Sequence, residues 1–338
     1  MNRGTAGSYV VTGAAGFIGC NIVKALNRRG VYRIIAVDNL RRSEKFHNLA
    51  GCRIVDYLDK EEFLRLIDAD SFDPEVDAII HQGACSDTTE SDGRYMMENN
   101  YRYSVRLLDY CQERNVQFIY ASSASVYGAG KTFEERPECE APLNIYAYSK
   151  LLFDQHVRAR HDELTGQVVG LRYFNVYGQG ESHKARMASV AWHFFQQYEE
   201  SGKVELFEGA EGYANGEQRR DFVHVDDVVE VNLHFLDRPE LSGIFNVGTG
   251  ASQTFNEVAV ATVNASRIAR NEVPLAPEEM RQTGAIEYIP FPPALHGKYQ
   301  SFTQADTRAL REAGYRLPFA SVQEGVKTYV EQLLSARG

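Results

Sequence analysis

The residues best placed to move a proton are Tyr146 and Lys150, in Tyr146-Ala147-Tyr148-Ser149-Lys150. Four positions make one helical turn, so the two side chains leave the same face. A free tyrosine ionises near pH ~10, too high for an efficient base at neutral pH. A cation one turn away stabilises the phenolate and brings that value down. Upstream, Ala121-Ser122-Ser123-Ala124-Ser125-Val126-Tyr127-Gly128 places hydroxyls at the end of an apolar run. If that run is a strand of a parallel sheet, Ser123 sits at its carboxyl end, where open α/β sheets bind ligands. A tyrosine four residues before a lysine also occurs in helices where the ring only packs. The order in which this pair and Ser123 follow the next two features makes the set informative.

Those features open the chain. Val10-Val11-Thr12-Gly13-Ala14-Ala15-Gly16-Phe17-Ile18-Gly19 puts Gly13, Gly16 and Gly19 between a first strand and a first helix. Glycines there allow a tight turn and close approach of backbone N–H groups to a pyrophosphate, whose charge the helix N-terminus favours. The second apolar run ends in Asp38, 19 residues after Gly19, positioned to accept from a ribose hydroxyl. An acid there favours NAD, because a carboxylate repels a 2′-phosphate. Asn39, Arg41, Arg42 and Lys45 follow at once, however, and Lys60 lies beyond a third strand. Such a basic cluster can neutralise a 2′-phosphate. The residues alone leave both cofactors open, with the cluster on the side of NADP. A positively charged nicotinamide ring would join Lys150 in lowering the Tyr146 pKa.

The elements that must carry these groups are strands over 9–12, 33–38, 54–56, 78–81, 118–121 and 168–173. Helices are expected over 18–29, 61–67, 94–114 and 148–161. Strands alternating with helical patterns predict a doubly wound parallel sheet of Rossmann type, and continuous apolar strands such as VVTG and AIIH suit burial on both faces. After about residue 175 the rhythm breaks. A helix is expected over 187–198, a Gly-rich segment over 208–216, a further buried strand over 244–247 and a surface excursion over 267–285. The expected division is a dinucleotide-binding core over 1–175, completed by segments near 221–250. Residues 176–220 and 251–338 would form a smaller C-terminal substrate lobe. The 338 residues allow about two domains. With 36 basic and 46 acidic side chains the net charge is −10, which argues against a partner that is nucleic acid or an anionic membrane surface. No apolar stretch approaches a membrane span, and the first residues lack the form of a secretory signal. Five scattered cysteines with no CxxC pair argue against a disulfide framework or a metal site. A cytoplasmic protein is expected.

Taken together, the glycine turn, Asp38, the strand-end serines and the Tyr146–Lys150 pair resemble the extended short-chain dehydrogenase/reductase family of nucleotide-sugar epimerases and dehydratases. The segments HQGACSDTTESDGRYMMENNY, SKLLFDQHVR, LRYFNVYG, SHKARMASVAWH and LHGKYQSFTQAD extend the resemblance, from about Tyr9 to the C-terminal helix, to the branch of that family acting on ADP-glycero-manno-heptose. The resemblance implies inversion at C6 of the heptose, a step that supplies the lipopolysaccharide inner core. It implies NADP as cofactor, held by Phe17 and Ile18 in the turn, Asp38 and Asn39 at the ribose, and Lys45 and Lys60 near the phosphates. Gln82, Gly83, Ala84, Cys85 and Ser86 with Asn99 would line the cofactor, Lys150 would hold the nicotinamide ribose, and Val176 and Lys184 would lie beside the ring. Tyr146 and Lys184 are the implied acid–base pair, with Ser123 on the reacting oxygen. Asn175, Arg186, His193, Phe207, Glu208, Gly209, Ala210, Arg220 and Tyr299 are implied on the substrate side. Arg186 and Ala210 stand where the family pattern has small hydroxyl residues. A homo-oligomer, a pentamer, is implied as well.

Two other readings fit parts of the chain. A 4-epimerase or a dehydratase shares the fold, but dehydratases carry an acidic pair after the strand-end hydroxyl, whereas Ala124 and Ser125 follow Ser123 here. A nucleotide-binding regulator on the same fold would not require Tyr146, Lys150 and Ser123 together.

Overall fold

Short β-branched runs and amphipathic helices alternate along the first half of the chain, and in the computed structural model they assemble around one sheet. The structure describes residues 7–72, 74–210, 212–292 and 300–336. Six strands, β1 (Ser8–Thr12), β2 (Ile34–Asp38), β3 (Asp56–Asp59), β4 (Val76–His81), β5 (Gln117–Ser123) and β6 (Val168–Tyr173), join the strand Gly243–Val247. The order across the sheet is Gly243–Val247, β6, β5, β4, β1, β2, β3, and every pairing is parallel. The chain runs outward from β1 to β2 and β3 on one side and returns to β4 on the other. This reversal opens a crevice above the carboxyl ends of β1 and β4, where doubly wound sheets take their ligands.

Successive strand residues point to opposite faces, so Val11 and Ile80 pack on one side and Val10 and Ile79 on the other. The first face is covered by α1 (Phe17–Arg28), through Ile22, Val23 and Leu26, and by the helix Val225–Leu236. The second is covered by α2 (Lys60–Asp68), then, beyond the single turn α3 (Gly93–Met96), by α4 (Tyr103–Arg114) and α5 (Ile145–Ala159), which contribute Phe63, Leu107 and Phe153. A separate core around Phe195, Val263, Met280, Ile286 and Tyr329 joins the helices Val190–Ser201, Phe255–Ala269 and Val322–Ser335 to a two-stranded sheet.

Four local departures from the sequence reading have physical causes. The third strand occupies Asp56–Asp59, not 54–56, because its register is set against β2, Ile35 opposite Asp56 and Asp38 opposite Asp59. Val55 stays 57% exposed. The long helix over 94–114 is interrupted by a π-helical segment, Met97–Arg102, a form that recurs at functional sites. The helix carrying Tyr146 begins at Ile145 because the Asn144 side chain accepts from Ala147 N–H at 2.8 Å and caps it. The stretch 267–285 is partly core: the helix Pro277–Gln282 buries Met280 completely. Its loop is pinned by Asn264, which donates to the Leu275 carbonyl at 3.1 Å and accepts from Leu275 N–H at 2.9 Å.

Candidate active site

The glycine turn leaves no room for side chains. A Cβ at Gly13, whose φ is +65°, would lie 2.7 Å from Gly83 N; at Gly16 or Gly19 it would lie 2.9 or 2.1 Å from the Gly13 carbonyl oxygen. The turn thus brings bare backbone over the start of α1, the arrangement a pyrophosphate requires. Beside it, Asp38 is 5% exposed. One carboxylate oxygen accepts from Ala15 N–H at 3.0 Å, the other from Asn39 N–H at 2.7 Å and from the Lys45 ammonium.

These groups line a pocket of about 340 Å³ at the sheet's reversal point. It contains Gly13, Gly16, Phe17, Ile18, Gly19, Asp38, Asn39, Lys45, Lys60, Gln82 through Ser86, Asn99, Lys150, Val176 and Lys184, so the structure places the whole expected cofactor set on one surface. Ser123 and Tyr146 share it. A glycine cradle, an acid at the end of β2 and a cleft long enough to reach from β2 past β5 fit a nicotinamide dinucleotide.

Around Tyr146 the electrostatics differ from the sequence expectation in one respect. Burial raises the phenol above its ordinary value, and the group of the chain that opposes this is Ser123, which faces it. Ser123 Oγ accepts from Ser125 N–H at 3.2 Å and from the Ser125 hydroxyl at 2.9 Å, leaving its own proton free for the phenol oxygen. Lys150 Nζ instead donates to the Ala121 carbonyl at 2.7 Å. Burial lowers its ammonium to about 8, with Asp154 one turn along α5 opposing the fall. Lys184 is also lowered by burial, with Glu181 acting against it, and its Nζ lies 5.3 Å from the centre of the Phe17 ring. Lys60, lowered by burial as well, donates to Asn99 Oδ1 at 2.5 Å.

None of the described substrate residues lines this pocket, although Asn175 lies between Phe174 and Val176, which do. Asn175 lies at the start of the strand Asn175–Tyr177, its side-chain oxygen 3.3 Å from Thr303 Oγ1. His193 is on the helix Val190–Ser201. Phe207 ends the strand Val204–Phe207 and packs edge-on against Phe291, and Glu208, Gly209 and Ala210 follow it into a loop where Asn215 accepts from Gly209 N–H at 2.9 Å. Arg220 is buried on the strand Arg219–Arg220, its guanidinium 6.0 Å from the centre of the Phe255 ring. Arg186 donates to Asp87 at 2.8 Å and to the Thr89 hydroxyl at 2.6 Å, joining the segment that carries Lys184 to the loop after Ser86. Tyr299 lies outside the described residues.

Several pocket residues carried no sequence expectation. Thr12 and Tyr173 end β1 and β6, so strand-end position was an available signal. Tyr95 and Tyr103 stand four residues before and after Asn99, a helical spacing that points them to the same wall. His81 ends β4 as well, but it supports the pocket from behind and does not line it. It is buried beneath the turn, its neutral form favoured by a pKa pushed down to about 3, with Nδ1 2.6 Å from Thr12 Oγ1 and Nε2 3.0 Å from Ser104 Oγ. Ser104 donates onward to the Asn100 carbonyl at 2.5 Å. The Asn100 side chain accepts from Cys85 N–H at 2.8 Å and donates to the Cys85 carbonyl and to Ser149 Oγ, each at 3.0 Å. The π-helical segment therefore ties the strand-end loop to the helix of Tyr146.

A chain with this sheet, turn and pocket falls in a defined class: a model of the NAD dependent epimerase/dehydratase family matches residues 9–248, and the chain belongs to that family. Within it, the chain is 63% identical over 327 residues to the ADP-L-glycero-D-manno-heptose-6-epimerase of Thiobacillus denitrificans, an alignment covering 97% of this chain and 98% of that one. Among solved structures, the ADP-L-glycero-D-manno-heptose-6-epimerase of Helicobacter pylori superimposes with a TM-score of 0.80 at 28% identity, covering 97% of this chain and 96% of that one. The UDP-glucose 4-epimerase of Thermus thermophilus, solved with NAD, gives 0.75 at 26% identity, covering 97% and 99%. No helix among the described residues is long and apolar enough to cross a membrane.

Proposed function

We propose that the chain epimerises ADP-glycero-manno-heptose at C6, between the D-glycero and L-glycero forms, with NADP as its redox cofactor. The observation that carries this reading is the meeting of the glycine turn, Ser123, Tyr146, Lys150 and Lys184 in one pocket, in a chain 63% identical to a heptose epimerase along nearly its whole length. A carbon bearing no acidic proton is inverted by temporary oxidation to a ketone, and the bound dinucleotide supplies the reversible acceptance of hydride.

The chain's own groups do the rest. Gly13, Gly16 and Gly19 admit the pyrophosphate, Asp38 and Asn39 meet the ribose, and Gln82 through Ser86 with Asn99 and Val176 line the remainder. One observation supports NADP over NAD. The Lys45 ammonium sits on Asp38 and offsets the charge that would repel a 2′-phosphate. Arg41 and Arg42 turn instead to Glu61 and to the His183 carbonyl, so Lys45 is the main cation of that subsite.

As the phenolate, which the positive charge of a bound oxidised nicotinamide would favour against burial, Tyr146 Oη would take the proton from the C6 hydroxyl, while Ser123 donates to that oxygen and holds the reacting groups in line. C6 of the heptose is exocyclic, so rotation about the C5–C6 bond turns the other face of the ketone toward the same cofactor site. The oxygen then lies elsewhere, and a second group, Lys184 Nζ, manages its proton. Partial desolvation brings that ammonium toward the range where a lysine exchanges protons. On the substrate side, Arg220 offers the planar fork that grips a diphosphate, with Asn175, Arg186, His193 and the 207–210 turn around the sugar.

The direct test is proton NMR of ADP-D-glycero-D-manno-heptose incubated with the purified protein. The L-glycero epimer is expected to appear with no added oxidant. An unchanged spectrum with cofactor-loaded protein would reject the assignment.

A further inference from the structure

The carboxyl group of Glu181 is fully buried, and its partners are neutral. Gly178 N–H donates to one oxygen at 3.2 Å, the Ser189 hydroxyl to the same oxygen at 2.7 Å, and Ser189 N–H to the other at 2.6 Å. One side chain thus fastens both ends of the 178–189 segment. Within that segment, Lys184 N–H donates to the Glu181 carbonyl at 2.8 Å, so the short 3₁₀ turn presenting Lys184 to the pocket begins on Glu181 itself. A buried carboxylate with no cation in contact is costly to keep. All three partners donate, and to both oxygens; an amide would turn its NH2 toward Ser189 N–H, so the site calls for a carboxylate.

We propose that Glu181 is the positioning residue of Lys184: its carboxylate ties the segment's two ends together and supplies the negative charge toward which the Lys184 ammonium is held. This rests on the acid–base role given to Lys184 above. The charged and titratable groups around the pair support the assignment. Toward Lys184 they are Glu181 and the adjacent His183, with the Phe17 ring reaching in from α1. His183 is itself lowered, by burial first and then by Lys45 and Lys184, so it adds no positive charge beside the ammonium at neutral pH. Toward Glu181 the remaining group is the Tyr329 hydroxyl, from the C-terminal helix Val322–Ser335. Glu181 is thus the group that works against desolvation of Lys184. Ser189 also caps the next helix, accepting from Trp192 N–H at 3.2 Å. Seating the carboxylate therefore fixes the segment against a rigid element.

The test is Glu181→Gln in the cofactor-loaded enzyme, with lysines labelled at Cε with ¹³C and the Lys184 signal identified by its loss in Lys184→Met. Removing the charge should lower the Lys184 titration by about one pH unit, and the alkaline limb of kcat should move down with it while KM for the ADP-sugar holds. Glu181→Asp, which keeps the charge on a shorter stem, should give a smaller shift in the same direction, and it serves also if the glutamine variant does not fold. A loop-fastening role alone would lower stability and leave both titrations where they were; that result in a folded, loaded variant overturns the proposal. Movement of the NMR titration without the kinetic limb upholds the hold of Glu181 on Lys184 and removes Lys184 from the chemistry.

Discussion

Arg172 Nε donates to Asp154 Oδ2 at 2.9 Å, and both side chains are completely buried. The pair lies behind the pocket wall: Asp154 is one turn after Lys150 on α5 and accepts from the Ser122 and Tyr120 hydroxyls at 2.9 and 3.0 Å. Arg172 reaches on to Glu140 and to the Tyr127 hydroxyl. A buried pair of this kind is weak evidence of net stabilisation, but removing one partner strands the other charge in the core. Asp154→Ala should therefore cost about 3–5 kcal/mol in urea unfolding. A loss under about 1 kcal/mol, the scale of an exposed pair, would show that Glu140 alone suffices to hold the arginine's charge.

Tyr146→Phe removes one oxygen from a half-buried ring. Cofactor content and thermal stability should stay near those of the parent, while turnover falls on the order of 10²–10⁴-fold, the usual contribution of a positioned proton-transfer group. Single-turnover and steady-state rates check it, and unaltered rates would make the ring a packing element.

Lys45→Ala strips the cation from Asp38. Parallel titrations with NADP and NAD should then show the NADP preference reduced by about 1–3 kcal/mol, the worth of a charge-assisted hydrogen bond, with NAD affinity little affected. Equal affinities in the parent protein would reverse the cofactor assignment.

Asp87 is held down to about 2 by hydrogen bonds from Thr89 and then by Arg186, against an ordinary value of 3.8. A depressed carboxyl contributes stability that is fully present above its ordinary value and is lost as pH falls through the depressed one. The bridge to the Lys184 segment should accordingly survive to about pH 4 and open between pH 4 and 2. Arg186→Ala should raise the Asp87 midpoint only part of the way, because Thr89 is the larger cause, and should change global stability by less than about 0.5 kcal/mol. Carboxyl ¹³C NMR titration reads both effects, and an Asp87 midpoint at its ordinary value in the parent would exclude the bridge.

The geometry of the candidate site was legible wherever its logic is local. The glycine turn, Asp38 at the end of β2, Ser123 at the end of β5 and the one-turn spacing of Tyr146 and Lys150 are written within a few residues each, because a tight turn, a strand end and a helical face are local objects. Apolar runs marked five of the first six strands for the same reason. The third strand, Asp56–Asp59, has no such run, and only its pairing with β2 sets where it begins. The substrate side and the supporting groups depend on distance. Arg186 meets Asp87 99 positions earlier, Lys184 lies over the ring of Phe17 from the first helix, and Asn100 joins Cys85 to Ser149 through a π-helical segment. Glu181 sits three residues before Lys184, yet nothing in that spacing reveals a buried carboxylate. Burial arises only when the 178–189 segment closes against the helices Val190–Ser201 and Val322–Ser335. Composition and spacing determine which groups can ionise, turn or pack; the dielectric around each group, and therefore its charge and its partner, is decided by the tertiary fold that removes it from water.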